Sequence, residues 1–158
     1  MRDSSGFSVI ELLIVAAILA ILLGVGFVRF DPSRWELSQA EQVLSQEISR
    51  ARFEAIKSNR MVELQFDLTG EGAYSLCVDE NSDQVCEAAE VISTTTFGSG
   101  DFPRTRIAGT DLPNNRIRFD LRGIPTESLF GTSIDLETES GSATSKLVLS
   151  ATGRVEIQ

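Results

Sequence analysis

The sequence predicts an α+β fold in which a long N-terminal helix, apolar in its first half and amphipathic in its second, packs on a C-terminal antiparallel β domain. Three observations predict it. No charged residue occurs from Leu12 to Val28. Between Leu37 and Ala55 apolar residues recur at spacings of three and four, the period of one helix face. After Arg60 the period changes to two, as in strands with one buried and one wet face. The chain of 158 residues suits one domain of ordinary size, and 42% hydrophobic residues supply one modest core.

The first element covers 7–30. As a helix it is long enough to span roughly 30 Å of hydrocarbon, so a transmembrane helix is expected there. A cleaved secretory signal carries an apolar run of about 7 to 15 residues ending at a small-residue site. This run is longer and closes on Gly26-Phe27-Val28-Arg29-Phe30. One carboxylate, Glu11, sits near its start. Such a group costs about 2.5 to 3.5 kcal/mol at a bilayer centre and less near an interface, which makes it a functional candidate in need of a partner. Ala16, Ala20 and Gly24 recur every fourth residue, a small-residue face that lets apolar helices approach closely.

The second element covers 31–60. Its start has two readings: Asp31 as N-cap with Pro32 at the first helical position, or Ser33 capping with Glu36 three residues on. Leu37, Ala40, Leu44, Ile48, Ala51 and Ala55 then form the apolar stripe, with most charges elsewhere. From 61 to 158 the chain reads as β. Val62, Leu64, Phe66 and Leu68 alternate with Glu63, Gln65 and Asp67, and Ile117, Phe119 and Leu121 alternate with Arg118 and Asp120. Further strands are expected at 74–78, 91–97, 132–138, 146–149 and 154–157, with turns at Thr69-Gly70, Ser140-Gly141-Ser142 and Thr152-Gly153.

Charge and composition narrow the function. The net charge is -9, and the residues from Met61 onward carry that whole excess. A surface for nucleic-acid duplexes normally carries Lys and Arg instead. Arg104, Arg106, Arg116, Arg118 and Arg122 can form a local positive patch, although pairing with strand-surface acids is the favoured reading. The chain has no histidine, which removes the commonest general base and the most frequent zinc ligand. No nucleophile elbow or phosphate loop is present either, so no enzyme is expected.

The leader Met1-Arg2-Asp3-Ser4-Ser5-Gly6, then Phe7, then Glu11 and an apolar helix, resembles the class III signal of type IV pilins and type II secretion pseudopilins. The resemblance implies that a prepilin peptidase cuts between Gly6 and Phe7, that Phe7 is N-methylated, and that Glu11 is the assembly glutamate. Physically, the new terminal amine of one subunit can neutralise Glu11 of the preceding one, offsetting the desolvation of both. Three further segments resemble the GspH/FimT branch: 51–60, Arg118-Phe119-Asp120-Leu121-Arg122-Gly123, and 145–155. Two departures stand out. The leader's Arg2 is balanced by Asp3, so orientation rests on the resemblance, and Gly24 and Gly26 stand where pilin helices often carry a proline.

In an exported chain Cys77 and Cys86 read as a disulfide. The loop between and after them places Asp79, Asn81, Asp83 and Glu90 at positions one, three, five and twelve of a calcium-loop template. Gln84, however, replaces the glycine of the sharp turn, so a disulfide-tied acidic loop without obligate metal is favoured over a calcium site. The expectation is a minor pilin or pseudopilin of the bacterial inner membrane with its β domain in the periplasm or on a filament. Its partners are other pilin or pseudopilin subunits, the prepilin peptidase and an inner-membrane assembly platform. The alternative is a DNA-binding module at a pilus tip.

Overall fold

The computed structural model describes residues 8–28 and 31–158, with side chains over 8–24 and 31–158. The chain divides into two units between Pro32 and Ser33. In the first, helix α1 runs Val9–Val28, and the Ser8 carbonyl accepts the N–H groups of Glu11 (3.0 Å) and Leu12 (3.2 Å) as it opens. Among the described residues no helix is long and apolar enough to cross a membrane. The span expected over 7–30 is therefore not found there, and Phe7, Arg29 and Phe30 at its ends lie outside the described residues.

Helix α2 runs Pro32–Ser58. Pro32 takes the first helical position, where its missing N–H removes no helical bond and its fixed φ suits the turn. The six residues of the expected stripe, Leu37 to Ala55, are all buried. The helix stops at Asn59, whose φ of 53° is a left-handed exit.

Eight strands follow: β1 (Val62–Asp67), β2 (Ala73–Val78), β3 (Val91–Thr96), β4 (Thr105–Thr110), β5 (Arg116–Phe119), β6 (Ser133–Thr138), β7 (Thr144–Leu149) and β8 (Val155–Ile157). They form two antiparallel sheets, ordered β3-β2-β1-β5 and β4-β6-β7-β8. The inward residues of both, among them Leu64, Leu76, Ile117, Phe119, Ile134, Leu136, Leu147 and Leu149, join Leu44 and Ile48 of α2 in one core. The α+β class is as expected. The strands, though, divide between two sheets, and β4 arises where no strand was expected.

Three side chains depart from the expected alternation. Leu68 and Leu121 are exposed, because β1 ends at Asp67 and β5 at Phe119, just before Asp120, and each aspartate turns the chain. Asp67 accepts the Thr69 N–H at 2.9 Å, and Asp120 accepts those of Arg122 (2.9 Å) and Ile124 (2.8 Å). Glu63, expected to face water, is buried. It lies opposite Arg118 in the β1–β5 register and accepts from Arg118 Nε at 2.8 Å.

Candidate assembly site and acidic loop

Glu11 lies in the first turn of α1, where the unpaired N–H groups of a helix start favour a carboxylate. Apart from it, the described part of α1 is an unbroken apolar surface, exposed from Val9 (78%) to Leu23 (62%). Ala16, Ala20 and Gly24 are exposed on α1, and a Cβ added at Gly24 would meet nothing within 4 Å. That stripe is thus open to close approach by another helix. Gly6 and Phe7 lie outside the described residues.

The loop after β2 is organised by its own side chains. Cys77 and Cys86 are bridged, with Cα atoms 5.9 Å apart. Asp79 accepts the N–H groups of Ser82 (2.6 Å) and Gln84 (3.0 Å), Asn81 accepts that of Asp83 (2.9 Å), and Asp83 accepts that of Val85 (2.8 Å). Glu90 takes the N–H groups of Glu80 (2.8 Å) and Glu87 (3.2 Å). Gln84 adopts the turn itself, at φ 66°. The calcium reading of Asp79, Asn81, Asp83 and Glu90 is therefore corrected: their oxygens serve as acceptors for the loop's backbone. Among the described residues no group of three or more carboxylates and cysteines is placed to hold a metal ion. Outside contacts seat the loop as well. Arg118 Nη2 donates to the Gln84 carbonyl (2.8 Å), Arg60 Nη1 donates to that of Glu80 (2.7 Å), and the Asp79 N–H donates to Met61 O (2.9 Å).

The five arginines of the possible positive patch each meet an acid. Arg104 pairs with Glu36 (3.7 Å), Arg106 with Glu137 (2.6 Å), Arg116 with Glu127 (3.2 Å) and Glu63 (3.7 Å), Arg118 with Glu63, and Arg122 with Asp120 (3.4 Å). Sequence reasoning missed the roles of Glu63 and Glu36. Glu36, one candidate for a capping pair, is buried and reaches β4, accepting the Arg104 N–H and the Thr105 hydroxyl (3.4 Å). A single charge on the otherwise apolar side of α2, next to Leu37 and four residues before Ala40, was the signal available.

The three segments after the first helix that carry the family resemblance meet in space. Gly123 lies so close to α2 that an added Cβ would stand 2.8 Å from Ile56 Cδ1 and 2.9 Å from Arg52 Cγ. Gly153, in the terminal hairpin turn, approaches Phe119 Cε1 to 2.9 Å by the same measure. Both take positive φ, 71° and 75°, which glycine adopts without strain.

Comparison with known proteins agrees with this arrangement. The family model described as type II transport protein GspH matches residues 39–153, and the prokaryotic N-terminal methylation motif matches residues 1–27. The pilin-like protein PilA1 of Thermus thermophilus is 38% identical over 155 residues, covering 97% of each chain. The crystal structure of the Pseudomonas aeruginosa type IV minor pilin FimU shares the fold, with a TM-score of 0.54 and 18% identity over 79% of this chain and 90% of that one. Proteins of these families are structural subunits, not enzymes. An apolar helix opened by one glutamate, a stripe-bearing second helix and two small sheets, matched by both family models, place the chain in the GspH family of the type IV pilin-like superfamily.

Proposed function

We propose that the chain is a minor pilin or minor pseudopilin, a structural subunit that acts in assembly or priming of a type IV pilus or type II secretion pseudopilus and, in the latter, in protein secretion. The observation that carries this is α1: apolar and exposed along its described length, with Glu11 as its single carboxylate. A surface of that kind needs a lipid or helix environment to cover it. In this reading the prepilin peptidase cuts between Gly6 and Phe7, and Phe7 is N-methylated. The helix is held in the inner membrane as a single pass, and the β domain stands in the periplasm until the subunit enters a filament. The match of the methylation motif to residues 1–27, which include Gly6, Phe7 and Glu11, supports it. Family membership implies membrane anchoring, processing by a prepilin peptidase and assembly with other pilin subunits.

The amine created by cleavage then neutralises Glu11 of a neighbouring subunit, and a subunit set at the wrong register leaves that charge buried alone. Breaking a buried pair costs about 3 to 5 kcal/mol, more than tenfold in an assembly constant. Glu11→Ala is therefore expected to be cleaved normally, seen as loss of the leader by mass, yet to enter sheared filaments at least tenfold less than the unaltered chain. Full incorporation of the variant would overturn the proposal.

A further inference from the structure

A groove of about 550 Å³ opens between the later half of α2 and the turn joining β7 to β8; its lining includes Ser49, Arg52, Phe53, Ile56, Thr152 and Arg154. Two features set it apart. Phe53 is 69% exposed and Ile56 48%, so an aromatic and an aliphatic side chain face water together. Among the described residues, Arg52 and Arg154 are also without a carboxylate partner, whereas Arg50, Lys57, Arg104, Arg106, Arg116, Arg118, Arg122 and Lys146 each have one, Arg60 donates to a carbonyl and Arg34 makes an interaction of its own. In a domain whose acids outnumber its bases, Arg52 and Arg154 line the same groove.

The complementary surface lies on the same chain. The disulfide loop exposes Glu80, Asp83 and Glu87, and between them Val85 stands 56% exposed. We propose that the groove of one copy takes the acidic loop of a second, with Val85 against Phe53 and Ile56 and the loop carboxylates against Arg52 and Arg154. The loop suits this role because its backbone is already fixed by the bridge and by Asp79, so little ordering entropy is lost on docking. The groove and the loop are different patches, so the contact is head-to-tail and can repeat without closing. A nucleic-acid strand fits the groove less well, because a polyanion would meet the -9 charge of the chain and, in the groove itself, the two cations Arg52 and Arg154. The inference deepens the assembly reading above and rests on the chain being a subunit, but it concerns β-domain contacts and not α1.

The test uses the full chain in detergent, with self-association followed by sedimentation and folding by circular dichroism. Arg52→Glu with Arg154→Glu is expected to weaken association about fivefold or more, the scale of two partly exposed ion pairs. Glu80→Lys with Glu87→Lys is expected to do the same, and Glu80→Lys alone to show part of it should the double variant fail to fold. A mixture of the two charge-reversed proteins should recover association toward that of the unaltered chain, while each variant alone stays weakened. No recovery in the mixture, with both variants folded, overturns the proposal. So does unaltered self-association in the arginine variant together with lost retention of a duplex DNA oligonucleotide, which would make the groove a nucleic-acid site. Recovery in detergent combined with full filament entry of Glu11→Ala would instead uphold the groove contact and remove the role given to Glu11.

Discussion

Glu63 of β1 and Arg118 of β5 face each other across two strands that lie 55 residues apart in sequence, and their side chains are only 9% and 10% exposed. The same guanidinium donates to the Gln84 carbonyl, so one buried pair joins two strands and seats the disulfide loop.

Removing one partner of this pair should cost more than removing both. Arg118→Ala strands the Glu63 carboxylate with only Arg116, at 3.7 Å, as a remaining cation. A loss of about 3 kcal/mol in denaturant unfolding is expected, the low end for a broken buried pair, because Arg116 partly compensates. Glu63→Leu combined with Arg118→Leu is expected within about 1 kcal/mol of the unaltered protein. A loss below about 1 kcal/mol for the single variant would mean that the pair is solvated.

The disulfide loop should depend on its bridge and not on metal. Cys77→Ser with Cys86→Ser is expected to lower stability by roughly 2 to 3 kcal/mol, since a closed loop this short removes a modest amount of chain entropy. Hydrogen exchange should quicken at the N–H groups of Ser82, Gln84 and Val85, which the loop's own aspartates hold. Calcium added after dialysis against a chelator should leave the melting temperature unchanged. A calcium-dependent rise would show that the aspartates exchange their backbone donors for an ion.

Gly153 and Gly141 separate two effects of a methyl group. Both have positive φ, 75° and 67°, but a Cβ at Gly153 would stand 2.9 Å from Phe119 Cε1 while one at Gly141 would meet nothing within 4 Å. Gly141→Ala is expected to cost about 1 kcal/mol, from backbone strain alone. Gly153→Ala adds overpacking of the core and is expected to cost about 2 to 4 kcal/mol. Equal losses in thermal or denaturant melts would show that the hairpin turn moves freely away from Phe119.

What was legible in the sequence was what is periodic. The stripe from Leu37 to Ala55 could be read because a helix repeats its buried positions locally, and every member is buried. Leu64, Phe66, Ile117 and Phe119 followed from alternation for the same reason. Strand β4 was illegible because Arg106 and Gly109 leave Ile107 as its one large apolar residue, and its order comes from pairing with β6. Glu36 and Glu63 were misread because their partners, Arg104 and Arg118, lie 68 and 55 residues away, and no local pattern announces such a pair. The acidic loop reads as a metal-free, disulfide-tied loop with calcium as the lesser alternative, because alternating oxygens suit calcium and Asx turns alike. Only the direction of the backbone N–H groups separates the two.

Tyr74 offers a direct optical test of the core. It is 2% exposed, with its ring 6.0 Å from that of Phe66 and 6.1 Å from that of Phe97, and burial pushes its phenol from 10.0 up to about 12. The folded state thus favours the neutral phenol. Because the unfolded chain loses that proton first, this contribution to stability is complete below pH 10 and is lost as pH rises from 10 towards 12. Tyr74 is the only tyrosine, so phenolate absorbance reports it alone. The native protein should titrate near 12 and the denatured protein near 10, and Tyr74→Phe should flatten the alkaline fall in stability between those values. A native midpoint near 10 would mean that water reaches the phenol and that the aromatic cluster of Phe66, Tyr74 and Phe97 is open.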